Sequence, residues 1–264
     1  MAAERSSAGD PARTLELLWR AQDPAPRRGP ERGLDIDAVV AAATDLAGRE
    51  GLAAVTMRRV AQALGVGAMT LYTYVPGKAE LLDLMLDSAY ARMSRANTAG
   101  QSWRQRLIAI AEENRALFDA HPWAATVSTL RPPLGPGLIG KYEHELSALE
   151  GLGLDDVEMD DCLTHLLAFV QSCAQAVADA RAAQAGSAMD DEQWWASNAP
   201  LLARVLDERA YPLATRVGTA AGAAHHSAHD PAHAYRFGLQ RVLDGLASLI
   251  DNRPDAAGTQ DRRK

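Results

Sequence analysis

Between Glu50 and Glu80 the chain carries Arg58, Arg59 and Lys78 but no aspartate or glutamate, although its formal net charge is -7 over 264 residues. Phosphate is neutralised by lysine and arginine, so a cationic segment in an acidic chain points to a polyanionic partner for that segment alone. Among these cations run Ala68, Met69, Thr70, Tyr72, Thr73 and Tyr74, a set without a charge. Hydroxyls and small apolar groups suit the edges of bases in a DNA groove. Arg58 and Arg59 at the start of one short helix, and Lys78 at the start of a longer one, are placed for phosphates or, for one arginine, a guanine edge.

Such groups need a scaffold that presents them together. Ile36, Val39, Val40, Ala43, Leu46 and Ala47 recur at helical spacing, and Gly51 follows as a stop. Thr56 stands where a helix cap belongs, before a short helix from Met57 to Leu64. Gly65 closes that helix, Val66-Gly67 makes a tight turn, and Ala68 to Val75 forms a third helix with Leu71 and Val75 inward. Pro76-Gly77 ends it before a long helix from about Lys78 to Ala96. Three short helices with a tight turn between the last two make a helix-turn-helix, expected over residues 34–80, whose third helix enters the major groove.

At these residues the chain resembles the tetracycline-repressor (TetR) family. The run TMRRVAQALGVGAMTLYTYVPGKAELL, Thr56 to Leu82, is similar to its DNA-binding signature at Thr56, Arg58, Leu64-Gly65-Val66, Leu71-Tyr72, Tyr74 and Lys78. The resemblance implies backbone-positioning roles for Tyr72, Tyr74 and Lys78, and base reading by Arg58, Ala68, Met69 and Thr70. With Thr56, Arg59 and Thr73 these complete the expected DNA-contacting set. It extends to Ser102-Trp103, His121, Arg131-Pro132 and Phe237-Gly238-Leu239, which are similar to segments of the tetracycline-binding members. There it also departs: the magnesium-chelating histidine of those members falls at Val127, which cannot ligate a metal. A metal-free, largely apolar effector is expected instead.

The fold class expected is all-α, with a larger helical domain over residues 81–251 for effector binding and dimerisation. Tails are expected at residues 1–33, apart from a helical turn at TLELLWR, and at 252–264; Arg27, Arg28 and Arg32 could form a minor-groove arm. Asn114, Phe118, Tyr142, Phe169 and Gln171 are the candidate ligand contacts, as aromatic and amide groups on helices expected to face one another. Trp194 and Trp195 are a candidate lid. Leu163, Leu167, Val170, Ala174 and Val177, with Leu239, Val242, Leu243, Leu246 and Ile250, suggest a four-helix homodimer interface. The expected mechanism holds two recognition helices about 34 Å apart on double-stranded operator DNA. Effector binding would tilt the helix from Lys78; a preference of about 3 kcal/mol for the wide state weakens operator binding roughly a hundredfold.

Readings from other classes are a DNA-binding dimer without effector and an all-helical metal-dependent enzyme. The second draws on Asp155-Asp156, Asp160-Asp161 and Asp190-Asp191-Glu192, where helix capping is the alternative, and on His225, His226, His229 and His233 in a Gly- and Ala-rich stretch read as a loop from Gly218 to His233. Cys162 and Cys173 read as small buried residues. No catalytic residue, metal or cofactor is expected, because no nucleophile elbow, Walker loop or dinucleotide fingerprint occurs. With no apolar run of membrane length and no signal-peptide core at the start, the cytoplasm is the expected compartment.

Overall fold

The structure, a computed structural model, describes residues 4–20, 34–186, 189–225, 227 and 230–251; the tail after residue 251, Arg27, Arg28, Arg32, His226 and His229 lie outside them. Among the described residues the chain forms twelve helices and no strand. They are α1 (Pro11–Leu18), α2 (Ile36–Glu50), α3 (Met57–Ala63), α4 (Ala68–Tyr72), α5 (Lys78–Ala91) and α6 (Trp103–Ala120). There follow α7 (Pro122–Ala125), α8 (Pro136–Ser147), α9 (Asp156–Ala185), α10 (Asp191–Val205), α11 (Pro212–His225) and α12 (Pro231–Ile250). None of those described is long and apolar enough to cross a membrane.

Local chemistry sets most boundaries. Asp35 caps α2 by accepting from Ala38 N at 2.7 Å, and Thr56 caps α3 by accepting from Arg59 N at 3.3 Å. Gly65 has φ 68°, a left-handed conformation that favours glycine, and this compacts the turn into α4. Helices α3, α4 and α5 end earlier than periodicity alone suggests, at Ala63, Tyr72 and Ala91. Asp155 and Asp190 form capping boxes with Glu158 and Gln193, so the acid pairs there satisfy helix N-termini.

Two apolar clusters organise the body. The first joins α1 to α5 and α7 through Leu17, Val39, Leu46, Val60, Leu71, Leu81, Leu86 and Trp123. The second joins α6, α9 and α12 through Leu107, Ile110, Leu163, Leu166, Leu239 and Leu243, and Phe118 packs against both. Leu163, Val170, Leu239, Leu243, Leu246 and Ile250, expected at a dimer interface, are buried within the single chain, because α9 packs on α12 directly.

Residues 4–20 depart from the expected mobile tail. Leu17 and Leu18 are buried in the first cluster, and the segment before α1 lies along α5 and the loop after α7. Ser6 pairs with Ser128 in the backbone, Ser7 N donates to Asp83 at 2.8 Å, and Trp19 Nε1 donates to Leu134 O at 2.8 Å. Composition suggested a tail, but the apolar residues of TLELLWR supply an anchor for a core that α5 leaves uncovered. The stretch expected as a loop from Gly218 is also partly helix: α11 runs to His225, consistent with the high helix propensity of its alanines.

Helix α5 holds three buried acids, Glu80, Asp83 and Asp87. Burial raises the Asp83 carboxyl to about 6, against a lowering hydrogen bond from Ser7 and with Glu80 adding to the rise; its Oδ2 has no partner. The folded protein therefore binds this proton more tightly than the unfolded chain, and the group's contribution to stability falls as pH rises from about 4 to about 6. Asp83→Asn is expected to raise the melting temperature at about pH 7.5, with the gain shrinking toward about pH 4.5. Circular-dichroism melts at both pH values check this.

Candidate nucleic-acid interface and internal cavity

Helix α4 buries one side and exposes the other. Leu71 is fully buried, whereas Met69 is 78% and Tyr72 45% exposed, and Thr70 and Thr73 are also exposed. Ala68 and Tyr74 are half-buried against the first cluster, so Tyr74 belongs as much to the core as to the surface. The Thr73 hydroxyl donates to Thr70 O at 2.7 Å, which ties it to the helix. Thr56 is exposed at the cap of α3.

The three cations differ in their surroundings. Arg59 forks onto both carboxylate oxygens of Glu50 at 2.8 Å, which fixes α3 to the end of α2. Lys78 Nζ pairs with Glu4 Oε1 at 2.6 Å, a contact that only the folded N-terminal segment supplies. Arg58 is exposed, with no ion-pair partner among the described residues. Together α4, Arg58 and Lys78 offer an uncharged face edged by cations.

Behind this unit lies a cavity of about 810 Å³ walled by α5, α6, α8, α9 and the loop after α7. Of the five candidate ligand contacts, Asn114, Phe118 and Gln171 line it. Tyr142 does not: it is 38% exposed and donates to Asp160 Oδ1 at 2.7 Å. Nor does Phe169, which stacks on Tyr235 between α9 and α12 with centroids 5.9 Å apart. Sequence reasoning missed Lys141 and Tyr90, which also line the cavity, because a lysine on an amphipathic helix reads as solvated and a tyrosine on α5 as core.

The cavity's polar end is built by a buried carboxylate. Glu145 accepts from Asn114 Nδ2 at 2.6 Å and from Lys141 Nζ at 2.7 Å, and Lys141 lies 5.6 Å over the Tyr90 ring. Burial, then the charges of Glu145 and Asp87, raises the Tyr90 hydroxyl far above its usual range. Phe118, Val127, Leu138 and Leu167 supply apolar wall, and Asp160, Thr164, Gln171 and Gln175 on α9 add polar groups to it.

Two family models match this chain: "Bacterial regulatory proteins, tetR family" over residues 39–85 and "Tetracyclin repressor-like, C-terminal domain" over residues 97–250. The chain belongs to the TetR family. The HTH-type transcriptional repressor DrrR1 of Streptomyces coeruleorubidus is 39% identical over 251 residues, which cover 95% of this chain and 90% of that protein. An HTH-type transcriptional repressor of Mycobacterium tuberculosis is 26% identical over 89% of each chain. Among solved structures, the TetR family protein ActR of Streptomyces coelicolor in complex with actinorhodin aligns with a TM-score of 0.69 at 26% identity. That alignment covers 83% of this chain and 98% of ActR.

As a TetR protein, the chain carries its first family model on the helices that present α4 and its second on the walls of the cavity. Val127 is buried and lines that cavity with an apolar side chain. Trp194 and Trp195 stack on each other on α10 and line none of this cavity; Trp195 borders a separate space of about 320 Å³ between α10 and α11. His225 and His233 have ring centroids 4.7 Å apart, and among the described residues no three His, Cys, Asp or Glu converge as a metal site. Cys162 is buried and Cys173 half-buried, and neither is in a disulfide.

Proposed function

We propose that the chain is a homodimeric repressor that releases a palindromic operator when a small molecule fills the 810 Å³ cavity. One observation carries the reading: α5 begins with Lys78 beside the recognition helix and reaches Tyr90 in the cavity wall. A 14-residue helix is a rod of about 21 Å, so a ligand pressing on its far end moves the near end. Arg58, Met69, Thr70 and Tyr72 would face DNA directly, Ala68 and Thr73 would flank them, and Tyr74, Thr56 and Arg59 would hold the unit's shape. The repressor names of the relatives and the ligand complex of ActR support the same assignment. Dimer contacts would come from the outward faces of α9 and α12, where Phe237 is 57% exposed. The regulator would work where chromosomal DNA is, in the cytoplasm.

A gel shift with duplex fragments flanking the gene, together with the mass of the free protein by light scattering, tests this reading. Binding by a dimer is expected; a monomer, or no shift at low salt, overturns it. A second consequence concerns Glu4, which in this reading competes with phosphate for Lys78. A half-buried surface pair contributes roughly 0.6 kcal/mol, so Glu4→Gln is expected to raise operator affinity about threefold per subunit. Two freed lysines in a dimer should also steepen the slope of log affinity against log salt by about two. Titration at three salt concentrations reads both.

A further inference from the structure

The cavity's polar end specifies a kind of ligand. Asn114 is only 3% exposed, and its amide group points both hydrogens inward, to Ile110 O at 3.0 Å and Glu145 Oε1 at 2.6 Å. Both partners are acceptors, so the orientation of the amide is settled by chemistry. This leaves Oδ1, which has no partner among the described residues, on the cavity wall. Lys141 is the neighbouring lining residue. Its ammonium has three hydrogens, and its hydrogen-bond partner is Glu145 at 2.7 Å. Glu145 does not line the cavity; it stands behind both residues, 1% exposed, and holds an amide and an ammonium side by side.

We infer that Asn114 and Lys141 form the anchor for a ligand hydroxyl that donates to Asn114 Oδ1 and accepts from Lys141 Nζ, on a multi-ring molecule with an apolar face. The inference rests on the effector reading above and names its ligand class. A ketone or ether satisfies Lys141 but leaves Asn114 Oδ1 unmet, and an unmet buried acceptor is costly. A carboxylate sets a negative oxygen against that acceptor, and an ammonium ligand meets Lys141 with like charge. Of these groups the hydroxyl alone serves both. Phe118, Val127, Leu138 and Leu167 supply apolar wall for the rings, and a volume of about 810 Å³ admits several of them. A buried ion pair brings no stability that apolar packing would not match, which favours a recognition role for Lys141.

The test uses full-length protein and two fluorescent probes of one shape, 1-hydroxypyrene and its methyl ether 1-methoxypyrene. The hydroxyl probe is expected to bind at least about tenfold more tightly, because the ether cannot donate. In an Asn114→Leu variant, which removes the acceptor and leaves Glu145 paired with Lys141, the two probes are expected to bind within about twofold of each other. Because the first comparison is made on the unchanged protein, it holds even where the variant fails to fold. Equal binding of the two probes, no binding of 1-hydroxypyrene, or an unchanged preference in a folded Asn114→Leu variant overturns the anchor. Operator release is read separately. Preference for the hydroxyl without release sinks the effector reading and leaves the anchor; release by both probes alike does the reverse.

Discussion

Replacing Tyr72 with alanine is expected to lower operator affinity about a hundredfold, and to lower affinity for unrelated duplex DNA by a similar factor. Tyr72 is 45% exposed on α4, outside both apolar clusters, so its loss should leave the fold in place. In the proposed complex its hydroxyl meets a phosphate, and a hydrogen bond to a charged group contributes about 1.5–3 kcal/mol. A dimer loses two, hence the size of the effect. Phosphate contacts carry no sequence information, so specificity should survive. Thr70→Ala is the contrasting case. Thr70 is exposed on the same helix, and losing one base contact should cost about 1–3 kcal/mol on the operator while leaving unrelated duplex nearly untouched. Fluorescence anisotropy with operator and scrambled duplexes separates the two. If neither variant changes affinity, the face of α4 is not the DNA-reading surface.

The second large effect is expected at Gly137, and it is a stability effect. The N-terminus of α8 is pressed onto α5 there. Asp87 accepts from Gly137 N at 3.1 Å and from Leu138 N at 2.8 Å, capping α8 with a side chain from another helix. Burial pushes the Asp87 carboxyl up, and these two bonds pull it back down. A Cβ at Gly137 would collide with the carbonyl of Asp87 and lie 3.0 Å from Ala91 N, both backbone atoms that cannot turn away. Gly137→Ala is therefore expected to cost about 3 kcal/mol, at the upper end for overpacking, or roughly 10 °C in melting temperature. Gly140→Ala on the same helix is the control. Its Cβ would meet only the Arg95 guanidinium, at 3.3 Å, and alanine is the better helix former by about 1 kcal/mol. Melting temperatures that fall alike in both variants would show that close approach of α5 and α8 is not the cause.

The DNA-binding unit was legible because its signals are local. Thr56, Gly65 and Pro76-Gly77 act on backbone within a few residues, and Leu71 against Met69 and Tyr72 is a matter of 3.6-residue periodicity. The body was legible as helices but less so as an arrangement. Leu163 and Leu243 were read as an interface between copies, and they fill the core of one, because an apolar stripe says that a face is covered without saying by what. Tyr142 and Phe169 were read as cavity residues for the same reason. The N-terminal segment was misjudged on composition, since Pro, Gly and Arg in its second half outweighed the anchor at Leu17 and Leu18.

By itself, then, the sequence determined the family and the helix-turn-helix with Arg58, Thr70 and Tyr72 on its outward side. Tertiary structure decided that Glu4 holds Lys78, 74 residues away, and that Glu145 aligns Asn114 with Lys141, 31 and 4 residues away. The helix-turn-helix closes over short loops whose chemistry is written in consecutive residues. Pairings such as Glu4 with Lys78 and Asn114 with Glu145 form only when separate apolar faces meet, and periodicity fixes which way a face points but not which partner it finds.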